Sequence, residues 1–107
     1  MNVVKIEQIQ NERDRQVKDF LMDHMPRKVD ELLFDTNPVH KSKEFTFYQY
    51  ELIKCFEKIT KQITLTGFTL SKNQMELILI KCQHIETIGL WYCNIDSKNL
   101  TFDSELQ

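Results

Sequence analysis

One stretch of this chain occurs twice. Phe45-Thr46-Phe47-Tyr48-Gln49-Tyr50-Glu51-Leu52-Ile53 aligns with Leu70-Ser71-Lys72-Asn73-Gln74-Met75-Glu76-Leu77-Ile78, 25 residues further on. Each copy carries an apolar residue, a hydroxyl residue, then Gln, an apolar residue and Glu-Leu-Ile in the same places. A repeat of this length implies stacked supersecondary units, because one unit cannot bury its apolar face alone. Thr46 with Gln49, and Ser71 with Gln74, have the spacing of a capping box, in which the hydroxyl accepts from an early backbone N–H and the Gln reaches back. Phe45 with Tyr50, and Leu70 with Met75, stand where a hydrophobic staple closes over such a cap. The spacing therefore predicts two helix starts, and a third at Asp96, with Asn99 in the Gln place and Leu100 in the staple place.

A different rhythm precedes each helix. Ile85, Ile88, Leu90, Cys93 and Ile95 occupy positions 1, 4, 6, 9 and 11 of a segment. One repeat earlier the same frame holds Thr60, Ile63, Leu65, Phe68 and Leu70, and earlier again Val29, Leu32, Phe34, Asn37 and Val39. The pattern resembles the LxxLxLxxN/CxL frame of leucine-rich-repeat proteins of the ribonuclease-inhibitor-like type, over roughly Val29 to Leu100. Phe68 departs from it: position 9 turns the chain and bonds backbone groups, which Asn37 does well, Cys93 weakly and Phe68 hardly at all. Gly67 beside it relieves the backbone.

The resemblance implies an α/β solenoid: a short parallel sheet on the concave side, helices on the convex side and an N-terminal capping helix. Strands are expected at Glu31 to Phe34, Gln62 to Leu65 and Thr87 to Leu90, with positions 4 and 6 inward. Helices are expected from Glu12 to His24, ended by Pro26; from Phe47 to about Ile59, with Tyr48, Leu52, Phe56 and Ile59 on one stripe; and from Lys72 to about Lys81, using Met75, Ile78, Leu79 and Cys82. The interval from Leu32 to Ile63 is longer than the repeat, which places an insertion at His40 to Glu44. The N-terminal Val3, Val4, Ile6 and Ile9 fit either a degenerate strand or part of the cap. The length predicts a single domain, 1–107, with 1–26 as the cap and 27–107 as about three repeats. The tail from Asp96 offers only Leu100, Phe102 and Leu106 to cover the far end, so the chain is either thinly capped there or a piece of a longer array.

Of the 107 residues, 41% are hydrophobic and 28% charged, and 14 bases against 16 acids leave a formal charge of −2. The loosely basic stretches around Arg27 with Lys28 and around His40, Lys41 and Lys43 are bounded by acids, which argues against nucleic acid. Three cysteines without close pairing point to a reducing intracellular compartment, the cytoplasm, and no apolar run is long enough for a bilayer. His24, His40 and His84 have no zinc-ligand spacing with Cys55, Cys82 or Cys93. The cysteines lack a visible base or oxyanion site, and Gly67 and Gly89 form no phosphate-cradling loop. The expectation is a non-enzymatic chain without metal or cofactor.

Strand alternation sends Glu31, Leu33, Asp35, Gln62, Thr64, Thr66, Thr87, Gly89 and Trp91 to the concave face, with Tyr92 beside Trp91. Gly89 then leaves room for a partner to approach the Trp ring. Trp91 and Tyr92 fit either a protein-binding anchor or an irregular further repeat that completes the core. Two functions follow: an interaction module with a protein partner on that face, or a structural segment whose open ends dock into an oligomer or larger array.

Overall fold

The computed structural model describes residues 2–7, 14–36 and 43–96. Strand β1 (Val3–Glu7) leads to helix α1 (Asp14–Asp19), which runs on through one π-helical turn, Phe20–His24. Met25 is extended, at φ −68° and ψ 130°, because the ring of Pro26 disfavours a helical residue before it. Then follow β2 (Val29–Asp35), β3 (Lys43–Glu44), α2 (Phe45–Phe56), β4 (Ile59–Thr66), β5 (Phe68–Ser71), α3 (Lys72–Lys81), β6 (Thr87–Trp91) and β7 (Asn94–Asp96).

Strands β1-β2-β4-β6 form one sheet and β3-β5-β7 a second, with every pairing parallel. Leu32, Ile63 and Ile88 are cross-strand partners, as are Phe34, Leu65 and Leu90; Val4 and Ile6 head the same two rows. The predicted in-register frame is thus present, with β1 as a fourth strand rather than part of a cap. An irregularity between Val29 and Glu31 pairs Val29 with Ile59. Position 1 of the middle repeat is therefore filled by the fully buried Ile59 and not by Thr60, whose hydroxyl donates to the Val29 carbonyl and the Asp30 carboxylate instead.

Several expectations need correction. The sheet of three strands is a sheet of four accompanied by a second of three, because the residues at positions 9 to 11 are also extended and pair from repeat to repeat: Thr69 with Asn94, Leu70 with Ile95. Gly67, at φ 82°, makes the corner between the two sheets. Phe68 does not spoil this turn; it is fully buried at the start of β5. Helix α2 ends at Phe56, and Ile59 opens β4. The expected Thr46 cap does not form: α2 starts at Phe45 behind Glu44, without a side-chain cap bond, whereas Ser71 and Gln74 make the full capping box of α3. On α3, Ile78 and Cys82 are buried but Leu79 is 53% exposed. Lys43 and Glu44, placed in an insertion loop by the sequence, form β3. Glu12, Arg13, Asn37, Val39, His40, Asn99, Leu100, Phe102 and Leu106, which carried further expectations, lie outside the described residues.

The core lies between the inward rows of the four-stranded sheet and the helices, and it contains Val17, Leu21, Tyr48, Leu52, Phe56 and Ile78. At its centre Phe34 packs on Phe68 and Tyr48 with ring centroids 5.1 Å apart in both pairs, and Phe45 lies 6.1 Å from Phe68. The Asp14 carboxylate accepts from the Tyr48 hydroxyl at 2.5 Å and the Lys43 ammonium at 3.0 Å, which ties α1 to the first repeat helix. Burial declines toward the other end. Ile63, Leu65, Phe68 and Leu70 are fully buried, but one repeat later Ile88, Leu90 and Cys93 are half-buried and Ile95 is 37% exposed.

Candidate functional site

With Leu32, Ile63, Phe34 and Leu65 turned to the core, alternation sends the intervening residues to the opposite face. Three cross-strand rows result: Val3-Glu31-Gln62-Thr87, Lys5-Leu33-Thr64-Gly89 and Glu7-Asp35-Thr66-Trp91. All the strand residues singled out from the sequence are on this one face: Glu31, Leu33, Asp35, Gln62, Thr64, Thr66, Thr87, Gly89 and Trp91. Tyr92 follows at its rim. The face also includes β1, which sequence reasoning left open; the alternating V-V-K-I-E of residues 3–7 was the available signal.

The centre of the face is neutral and hydrogen-bonded. Gln62 Nε2 donates to Thr64 Oγ1 at 3.0 Å, and Thr64 is buried between its neighbours. On β1 the Lys5 ammonium meets Glu7 at 2.9 Å. The hydrogen bond and charge of Glu7, and more weakly the charge of Asp35, raise the Lys5 pKa above its usual value. Carboxylates thus lie over β1 and β2, and aromatic rings at β6.

Those rings are well exposed, Trp91 at 59% and Tyr92 at 77%. The indole lies back over Gly89: a Cβ added to this glycine would stand 3.0 Å from Trp91 Nε1. The space at Gly89 therefore seats the indole instead of admitting a partner, which corrects the sequence expectation and leaves the Trp ring pre-positioned. Tyr92 adopts φ 54°, the only non-glycine residue described with a positive φ. It stands one repeat after Gly67 and makes the same left-handed corner. Gly67 N donates to the Trp91 carbonyl at 3.0 Å, as Thr36 N does to the Thr66 carbonyl one strand earlier. A β-carbon in this conformation costs roughly 1–2 kcal/mol.

Two of the three thiols, Cys55 and Cys82, are buried in the core, and Cys93 lies next to Tyr92. Burial pushes Cys55 and Cys82 each up to about 11, and Cys55 donates to the Leu21 carbonyl at 3.1 Å. Burial also raises Cys93, whose Sγ lies 3.5 Å from the Leu65 carbonyl, the weak backbone bond expected at position 9. Nucleophilic chemistry needs the thiolate, and these thiols stay neutral at pH 7. A pH dependence follows. The folded pKa exceeds the unfolded value of 9.0, so the native state holds more protons between pH 9 and 11. The stability contributed is intact below pH 9 and is lost as the pH rises toward 11. Denaturant unfolding of parent and Cys55→Ala, Cys82→Ala chains across this range should show a shallower alkaline decline in the double variant.

His84 Nε2 lies 2.9 Å from the Phe56 carbonyl, bridging adjacent repeats. Among the described residues no group of His, Cys, Asp and Glu is arranged to hold a metal ion, and no helix is long and apolar enough to cross a membrane. No protein-family model, curated protein or solved structure matches the chain.

Proposed function

We propose that the chain is a short leucine-rich-repeat solenoid that binds a protein partner through the concave face of its four-stranded sheet, the face turned away from the core, without catalysis. Tyr92 carries this reading. The corner it occupies is satisfied by glycine in the preceding repeat, yet here a tyrosine is held there with its ring in solvent, beside an exposed Trp91. Strained backbone supporting an exposed aromatic pair is accounted for by a task for the side chains, and Tyr and Trp are the residues most enriched in binding hot spots.

Tyr92→Gly separates task from fold. Glycine relieves the left-handed strain but loses more chain entropy on folding, so stability should match or exceed the parent by about 0–1 kcal/mol. Affinity capture from native extract should recover the partner with the parent chain and lose it with Tyr92→Gly. Equal recovery by both would end the binding reading.

A second reading, end-to-end assembly, has one observation of its own: among the described residues, the half-buried Ile88 and Leu90 and the exposed Ile95 lie on the edge strands β6 and β7, with the half-buried Cys93 between them. Open strand edges invite further pairing. Sedimentation over a wide concentration range decides it: a sedimentation coefficient that rises with concentration supports assembly, and a constant monomer excludes it.

A further inference from the structure

In a parallel sheet alternate residues of a strand bond its two neighbours. In the larger sheet Glu31 N donates to the Asn2 carbonyl, Thr36 N to the Thr66 carbonyl and Gly67 N to the Trp91 carbonyl, while Val3 faces Glu31, Asp35 faces Thr66 and Thr66 faces Trp91 across the strands. Outward residues such as Glu31, Thr66 and Trp91 thus turn their backbone N–H and C=O groups toward the preceding strand, and the inward residues between them turn theirs toward the following one. Among the described residues β1 and β6 are the two edges of this sheet. At its edge β1 presents the groups of Val3, Lys5 and Glu7, and β6 presents those of Ile88 and Leu90. The two edges are complementary, since β6 offers what a following strand bonds and β1 offers what a preceding strand bonds. Their inward side chains match as well: Val4 and Ile6 at one edge, and Ile88 and Leu90 at the other, are the half-buried ends of two rows whose middle members Leu32, Phe34, Ile63 and Leu65 are 0–1% exposed.

We propose that a second copy of this chain docks its β1 parallel beside β6, head to tail, as the next strand of the sheet. The inference rests on the assembly reading above and names its partner and register. Continuing the observed register sets Val4 and Ile6 of the second copy beside Ile88 and Leu90, so both half-covered ends are closed in one contact. The Ile88 and Leu90 carbonyls then accept from Lys5 N and Glu7 N of the second copy, and Leu90 N donates to its Lys5 carbonyl. A two-fold pairing of β6 on β6 gains less, because it leaves the β1 end of each copy half-covered. Sheets guard an open edge with charge, proline or a bulge; β6, Thr-Ile-Gly-Leu-Trp, has no charged residue, no proline and no break in its register. On β1 the charges of Lys5 and Glu7 are joined at 2.9 Å and lie on the outward face, clear of the edge itself. Because each added copy presents a new β6 edge, the contact propagates beyond two copies into a filament or ring.

Two variants block one edge each. Lys5→Pro removes an N–H that points to the open side of β1, a place where an edge strand tolerates proline. Leu90→Lys puts a charge at the inward end of β6, where Ile6 of the second copy docks, while the lysine stem still covers the core; Ile88→Lys replaces it if that chain fails to fold, as read by circular dichroism. In sedimentation the full parent chain should grow past a dimer as its concentration rises, and each variant alone should stay a monomer over the same range. An equimolar mixture of the two variants should form a 1:1 dimer and nothing larger, since one free β6 then meets one free β1. A parent that assembles while the mixture does not pair, or while either variant alone still assembles, overturns the β1-on-β6 contact and leaves the assembly reading standing; a Lys5→Pro chain that stops at a dimer identifies β6-on-β6 pairing in its place. A parent that stays monomeric at every concentration overturns the contact and the assembly reading together.

Discussion

Phe68→Ala is expected to lower stability by about 3–5 kcal/mol, the range for a large ring deleted from a closed core. Phe68 is fully buried and stands against three rings at once, with centroids 5.1 Å from Phe34 and 6.1 Å from Phe45 and Tyr48. It belongs to the second sheet while Phe34 belongs to the first, so its ring joins the two sheets and the first repeat helix. Nothing nearby can collapse into the space, because those neighbours are fixed by their own strands and by the Tyr48–Asp14 bond. A domain of this size has only about 5–15 kcal/mol in total. Denaturant unfolding of the variant should therefore show a strongly lowered midpoint. The comparison that locates the effect is Leu65→Ala against Leu90→Ala. These residues are partners in one row, but Leu65 is fully buried and Leu90 half-buried. Leu65→Ala should fall within the usual 2–5 kcal/mol and Leu90→Ala clearly below it. Equal losses at the two positions would mean that the gradient of burial from the middle repeat to the last one is absent.

Register was legible in the sequence for a physical reason. Alternation has a period of two, and a slip of one residue would have turned Ile63 and Leu65 to solvent; three segments with apolar residues at positions 4 and 6 leave one alignment. The second sheet was not legible, because its strands are as short as Lys43–Glu44 and Asn94–Asp96, too brief to display alternation. The caps show a different limit. Thr46-Gln49 and Ser71-Gln74 have the same spacing, but only the second pair closes on its own helix. Gln74 also reaches the neighbouring repeat, where its Nε2 donates to Thr46 Oγ1 and, at 3.3 Å, to Gln49 Oε1. The hydroxyl that local spacing assigned to a cap is engaged by the adjacent unit instead, and a pattern read along one segment does not contain that partner.

The outward face of the four-stranded sheet was legible in its residues and not in its geometry. Alternation placed Leu33, Thr64, Gly89 and Trp91 together, but the positive φ of Tyr92 has no signature in its residue type. Only its distance from Gly67 hints at a corner. The seat of the indole on Gly89 likewise depends on a side-chain direction, which spacing does not specify.

Trp91→Ala is expected to leave folding nearly untouched and to weaken partner binding by about 2 kcal/mol or more, roughly thirtyfold. The two halves of this expectation come from one observation. A ring 59% exposed contributes little to the core, so its removal should fall within about 0.5 kcal/mol of the parent. The same exposure, on a face of Thr, Gln and carboxylate side chains, leaves a large ring for a partner to cover. Gly89→Ala supplies an independent approach to the same ring, since the new Cβ would lie 3.0 Å from Trp91 Nε1 and so displaces the indole without deleting it. It should shift Trp91 emission in the free protein and weaken binding less than Trp91→Ala does. The measurements are circular dichroism melting curves for both variants and a binding titration with the captured partner. If Trp91→Ala unfolds, the ring belongs to the core and the exposed-anchor argument fails. If it folds and binds as tightly as the parent, the partner does not use this face. Loss of binding with an unchanged melting curve, and an intermediate loss for Gly89→Ala, would tie affinity both to the indole and to the seat that the strand provides for it.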